Sequence, residues 1–177
     1  VSSAASDVYK RQISSLAKAI FSISRVDNPD PIAAWEKHQQ TLTSRQNWLN
    51  EKNFSALRYS APGTDLTIGL AKGHEWKGGA STSKNGITCT PNIPTEEVFT
   101  TPHSHRVDGC VRATKPLVYR GTLIEGIEVE FEKGKITKAR AEKGEEVFLN
   151  LLDTDEGARR LGEVALVPHS SPISESG

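Results

Sequence analysis

N-I-P-T-E-E-V-F-T-T-P-H, residues 92–103, is the stretch from which the chain is best read. Two adjacent carboxylates, Glu96 and Glu97, stand between Pro94 and Pro102. Proline is poorly tolerated beyond the first turn of a helix and pushes the residue before it toward extended geometry. The spacing therefore predicts a short extended piece whose neighbouring side chains point to opposite faces. One glutamate then enters a cleft while the other faces away. A second acidic position, Glu163, opens L-G-E-V-A-L-V-P at 161–168. Val164 to Val167 read as a buried strand, and a carboxylate beside such a strand needs a cation, a hydrogen bond or a metal to offset its lost hydration. A metal is the expectation.

Downstream of the acidic stretch, Gly109 to Glu142 alternates apolar and polar residues through Val111, Leu117, Leu123, Ile127, Val129 and Phe131. Arg120-Gly121 and Lys133-Gly134 supply turns, so an antiparallel meander with one wet face is predicted. Glu128, Glu130 and Glu132 alternate along that wet face and have Lys133, Lys135 and Lys138 close by. Glu145 to Leu152 has helical spacing, and Asp153 and Asp155 frame a cap for a second short helix over Glu156–Leu161. The D-x-D alternation lacks the further ligands of a calcium loop.

Upstream, Asp30-Pro31 is a strong helix start, and Trp35, Leu42 and Leu49 recur every seven residues along a helix ending near Asn50. His38 is read as an exposed residue of that helix, since no second ligand stands three or four positions away. From Phe54 the period becomes two: Ala56–Tyr59 and Leu66–Leu70 read as strands joined at Ala61-Pro62-Gly63-Thr64. The glycine-rich run from His74 to Ala80 lacks the G-x-x-x-x-G-K phosphate cradle and reads as a loop, with Trp76 covering a core edge. Leu16, Ile20 and Ile23 also fall near helical spacing. Ser2 to Gln12 matches the in-frame translation of a transposase-type sequencing adapter, so residues 1–12 are expected to be a processing scar. With no methionine anywhere, the chain is read as an internal piece of a longer protein.

Lys and Arg number 22 and Asp and Glu number 22, a net charge of zero. There is no basic field to attract nucleic acid or an anionic membrane, and no apolar run approaches a bilayer span. Cys89 and Cys110 lack a C-x-x-C pattern and read as buried free thiols of a cytoplasmic protein.

Four blocks in order, T-E-E-V-F-T-x-P-H, R-x-x-G, G-x-x-I-x-G and D-x-D-E-G-A-R-R-L-G-E-V-A-L-V-P, resemble the metal-dependent aminopeptidases that include aminopeptidase T, aminopeptidase S and PepS. The resemblance runs from about Asp30 to Ser174. It implies a fragment of a two-domain, homodimeric enzyme: residues 13–90 end an N-terminal region, with a helix over 30–50, and residues 91–177 begin the catalytic domain. It also implies two divalent metal ions (zinc, cobalt or magnesium), with Glu97 and Glu163 as ligands and Glu96 as the fallback for the first. The family's remaining ligands, two histidines and an aspartate with a tyrosine nearby, match nothing in this chain. His103 and Arg106 are implied to lie beside the site. His103 and His105, two apart on a strand, share a face, but neither matches a family ligand.

The implied reaction removes the N-terminal residue of a peptide: the metals polarise the scissile carbonyl and activate water, and a carboxylate relays the proton. Another metal-dependent amide hydrolase of the same fold, or a non-enzymatic β-rich binding module with surface glutamates, are the alternatives. The expected fold class is α+β: a leading helix, a largely antiparallel sheet, two short C-terminal helices and a final strand.

Overall fold

The computed structural model describes residues 3–175. Helix α1 (Ser3–Ile23) and helix α2 (Pro31–Lys52) lead, followed by strands β1 (Ala56–Ala61), β2 (Thr64–Leu70), β3 (Lys77–Gly78), β4 (Ser81–Thr82) and β5 (Thr88–Cys89). Strands β6 (Val98–Thr100), β7 (Pro102–Arg112), β8 (Leu117–Tyr119), β9 (Thr122–Ile124), β10 (Glu128–Glu132) and β11 (Lys135–Arg140) come next. Helix α3 (Glu145–Leu152), strand β12 (Val164–Leu166) and the short helix α4 (Pro172–Glu175) complete the chain. The class is α+β with mostly antiparallel sheet, as the alternation of apolar residues implies.

Two compact units share these elements: Val1–Glu51, Trp76–Phe99 and Ala165–Gly177 form one, and Lys52–Glu75 with Thr100–Val164 form the other. In the first unit α2 begins at Pro31, and the Asp30 side chain accepts the Ala33 N–H at 3.0 Å, satisfying a donor that a helix start leaves unpaired. Its stripe is buried at Leu42 and Leu49, alongside Trp76 and Val98. Trp76 is fully enclosed rather than set at an edge: its backbone N–H donates to Asn50 Oδ1 at 2.8 Å and its carbonyl accepts from Asn50 Nδ2 at 3.1 Å. Helix α1 runs through the adapter-like residues and keeps the expected helical spacing, but Ile13, Leu16, Ile20 and Phe21 are exposed.

The second unit is built on a five-stranded sheet in the order β1-β2-β7-β10-β11. Leu66, Ile68, Leu70, Val107, Val129, Phe131 and Ile136 are buried; Leu66, Ile68, Val107, Phe131 and Ile136 each stand one strand position from an exposed polar residue, the period-two pattern of a half-wet antiparallel sheet. On the wet face Glu130 pairs with Lys138 at 2.8 Å and Glu128 with Arg140 at 2.5 Å, a solvated ladder rather than a carboxylate cluster. Two-residue turns at Arg120-Gly121 and Lys133-Gly134 have positive φ at both positions, the geometry that matches strand twist.

Three expectations need correcting. Residues 153–160 are a run of turns, not a second short helix; Asp155 accepts the N–H groups of Gly157 and Ala158, both at 2.8 Å, but the turn does not propagate. Cys89 and Cys110 are free but exposed, not buried. Cys110 alternates with Val107's side of β7, and Cys89 closes the small exposed pair β4–β5. His38 is enclosed, not exposed, with only 9 % of its side chain accessible.

Candidate functional site

The acidic pair falls in the first unit, where residues 92–97 form an irregular segment leading into β6. Its two members differ sharply. Glu96 is buried at 5 % exposure, whereas Glu97 is half-buried. That split is what opposite-facing neighbours in an extended segment produce.

Glu96 is fully committed. Arg25 grips it with both terminal guanidinium nitrogens, Nη1 at 2.6 Å from Oε1 and Nη2 at 3.1 Å from Oε2. Ser171 donates its hydroxyl to Oε2 at 3.0 Å. His38 Nε2 lies 2.6 Å from the Thr95 carbonyl and 3.5 Å from Glu96 Oε1. A carbonyl only accepts, so that ring nitrogen carries the proton. Burial pushes the Glu96 carboxyl up, but Arg25, His38 and the Ser171 hydroxyl outweigh it and hold the carboxyl below its ordinary value.

The gripping residues are themselves placed by short-range chemistry. Arg25 ends α1: the Val26 N–H bonds the Phe21 carbonyl at 3.0 Å and the Arg25 N–H bonds the Ser22 carbonyl at 3.0 Å, a Schellman closure. Arg25 has φ of 61°, the left-handed position that glycine usually fills. Its guanidinium also lies 5.5 Å from the Trp35 ring centroid. Trp35 in turn donates its indole N–H to the Ser24 carbonyl at 2.7 Å, tying α2 to the end of α1. Ser171 Oγ accepts the Ile173 N–H at 3.3 Å at the start of α4 while donating to Glu96.

Glu97 has no hydrogen-bond or ion-pair partner among the described residues. Its backbone is crowded instead: a Cβ on Gly78 would come 2.6 Å from the Glu97 carbonyl, so glycine is what lets β3 pair with β6 there.

The other sequence-derived residues lie in the second unit. Glu163 directly precedes β12 and is exposed, so the desolvation cost inferred for it from the sequence does not arise. His103 Nδ1 accepts the His105 N–H at 3.1 Å, and the two rings stand edge-on 6.2 Å apart. Arg106 is exposed and donates to the Ser55 carbonyl at 3.4 Å.

As a metal site these residues are incomplete. Glu97 offers a hard oxygen donor that no other described residue claims, and Glu96 does not, its oxygens being occupied. Among the described residues no three His, Cys, Asp or Glu side chains gather as metal ligands. The same residues contain no helix long and apolar enough to cross a membrane.

The profile of the family described as Thermophilic metalloprotease (M29) matches residues 2–177. The chain belongs to the M29 family. Relatives of this chain include Aminopeptidase T of Thermus thermophilus, 58 % identical over 162 residues, which are 92 % of this chain and 40 % of the relative. Aminopeptidase 2 of Geobacillus stearothermophilus is 53 % identical over 164 residues, 93 % of this chain and 40 % of that protein. Aminopeptidase AmpS of Bacillus subtilis is 48 % identical over 161 residues, 91 % of this chain and 39 % of its own length. The solved structure of wild-type AmpT from Thermus thermophilus superposes with a TM-score of 0.80 at 59 % identity, covering 83 % of this chain and 37 % of that one. The chain thus spans about two fifths of the length of these relatives.

Sequence reasoning missed Arg25, His38 and Ser171. For His38 a signal was present: it stands three residues after Trp35 and four before Leu42, on the same face of α2 as the apolar stripe. Arg25 and Ser171 carry no such periodicity.

Proposed function

We propose that this chain is part of a cytoplasmic, homodimeric aminopeptidase that removes N-terminal residues from peptides with the help of two divalent metal ions. In this reading Glu97 and Glu163 each supply a carboxylate ligand, and His103 and Arg106 have supporting roles. Membership of a metalloprotease family carries the metal, and the names of the relatives carry the class of bond cleaved. The observation that favours Glu97 over Glu96 as the ligand is the uncommitted carboxylate of one beside the fully gripped carboxylate of the other. Bound metal supplies Lewis-acid chemistry, polarising a carbonyl and acidifying water. Glu97 and Glu163 contribute negative charge and oxygen donors; among the described residues no three candidate ligands gather.

The test is a chimera in which this chain replaces the matching two fifths of Thermus thermophilus aminopeptidase T. It is expected to hydrolyse leucyl-p-nitroanilide, to lose that activity to a chelator and to regain it with a divalent ion. Glu97→Gln and Glu163→Gln are expected to abolish turnover, while the soluble yield and melting temperature stay near those of the parent chimera. Full activity in a folded Glu97→Gln or Glu163→Gln chimera would overturn the assignment of that ligand. A folded chimera that cleaves an internal amide but no N-terminal residue would replace the aminopeptidase with another amide hydrolase.

A further inference from the structure

We infer that Arg25, His38 and Ser171 are positioning residues: by holding Glu96 they fix the backbone at Thr95–Val98 and so present the neighbouring Glu97 carboxylate, uncommitted, for a divalent cation. The inference rests on Glu97 being a metal ligand, as proposed above, and adds how the chain separates two adjacent acids into an anchor and a ligand.

Two adjacent carboxylates pose a selection problem. In a mobile segment either can reach a cation, and a cation nearby can be captured in more than one geometry. Here one of the two is removed from competition. Glu96 receives both arms of Arg25 and a hydroxyl proton from Ser171. Thr95, the residue before it, is held through its carbonyl by His38. These contacts bring the end of α1, the middle of α2 and the start of α4 onto two consecutive residues. Val98, immediately after Glu97, is buried and enters β6. Glu97 is therefore pinned on both sides along the backbone while its own side chain stays without a partner among the described residues.

A second observation points the same way. Arg25 occupies a left-handed helix-end position at φ 61°. A non-glycine residue there is strained, and such strain persists where the surroundings impose it. A simple cap has no need of arginine. The guanidinium, locked over Trp35 and onto Glu96, is what the position supplies.

Manganese(II) binding to the isotope-labelled 177-residue chain, followed through paramagnetic broadening of the glutamate side-chain carboxyl carbons, tests this without any turnover. The Glu97 carboxyl is expected to broaden at lower manganese concentration than the Glu96 carboxyl, and Glu97→Gln to remove the effect from the segment. In Arg25→Gln and Glu96→Gln the concentration needed at residue 97 is expected to rise about tenfold or more, the usual cost of losing a residue that orients a ligand. Arg25→Lys should recover part of it. Ser171→Ala, which removes one hydrogen bond and no buried charge, keeps a folded variant available and should weaken binding by a smaller factor. Amide exchange at residues 95–98, measured on the same samples, reports the clamp separately and should quicken in each of these variants. Unchanged manganese affinity at Glu97 in folded Arg25→Gln or Ser171→Ala, with exchange quickened, would overturn the positioning role and leave the ligand assignment standing. No broadening at Glu97 in the unsubstituted chain, with residues 95–98 protected, would instead bring down the ligand and with it the inference.

Discussion

Arg25 closes a helix where glycine would do so without strain, and that makes the sign of one substitution informative. If the residue served only as a cap, Arg25→Gly would relieve left-handed strain and stabilise the fold by roughly 1 kcal/mol. The grip on a buried carboxylate predicts the reverse. Removing one partner leaves Glu96 charged and enclosed, a loss on the order of 3 kcal/mol or more, so the net change expected in urea denaturation is a destabilisation of about 2 kcal/mol. Acid gives an independent check. The Glu96 carboxyl titrates below its ordinary 4.5 in the folded chain because Arg25, His38 and Ser171 outweigh the effect of burial. A lowered folded value means stabilisation fully present above 4.5 and lost as pH falls through the folded value. Within that window the unsubstituted chain should lose stability more steeply than Glu96→Gln, measured as the slope of melting temperature against pH. Equal slopes would mean that Glu96 is not held as an anion. At this scale the sequence was only partly legible. Proline spacing gave the opposite facing of Glu96 and Glu97, but nothing local announced that an arginine 71 positions away would claim the first of them.

Among elements, the meander was the most legible because its rules are local. Period-two alternation and X-Gly turns fixed the hairpins β8–β9 and β10–β11 without reference to the rest of the chain. The segment after α3 was not legible in the same way. Acidic residues that cap a helix also cap an isolated turn, and here Asp155 does the latter. Gly157 weakens helix propagation, Asp153 takes the Arg159 side chain at 2.7 Å, and the Arg159 carbonyl accepts the Ile136 N–H at 2.9 Å, so the backbone is drawn to the sheet instead. Tertiary contacts won over a sound local signal. Strand β7 offers a prediction of its own. Gly109 has φ of 116°, and a side chain there would run into the Asp65 carbonyl of the neighbouring strand. Gly121 has φ of 80° in an exposed turn with nothing within 4 Å of an added Cβ. Gly109→Ala is expected to cost about 3 kcal/mol and Gly121→Ala about 1 kcal/mol, since only the first adds a backbone collision to the conformational strain. Comparable midpoints for the two in urea would show that β2 and β7 part easily at this point.

At the scale of the whole molecule, the two units are assembled from stretches that are not consecutive, the first from 1–51, 76–99 and 165–177. Patterning along a chain marks strands and helices but does not mark which distant stretches will share a core, so that assembly could not be read from periodicity. The family resemblance could be read, because several blocks recur in order, and membership of M29 agrees with it. Membership does not supply the chemistry by itself. A catalytic metal centre needs several donors converging on the ion, and water on that ion acidic enough to react near neutral pH. The described residues offer no three candidate ligands together, and the chain spans about two fifths of the length of its relatives. Two carboxylates hold a divalent ion weakly, because each must displace tightly bound water from it with little geometric help from other donors. The purified 177-residue chain is therefore expected to hydrolyse leucyl-p-nitroanilide no faster than a buffer blank, with or without added zinc, cobalt or magnesium, even where manganese broadening detects the ion at Glu97. Hydrolysis above the blank that a chelator abolishes and a Glu97→Gln substitution removes would mean that this stretch alone assembles enough of the centre to turn over. The ligands ascribed to the rest of the enzyme would then have to be found within residues 1–177.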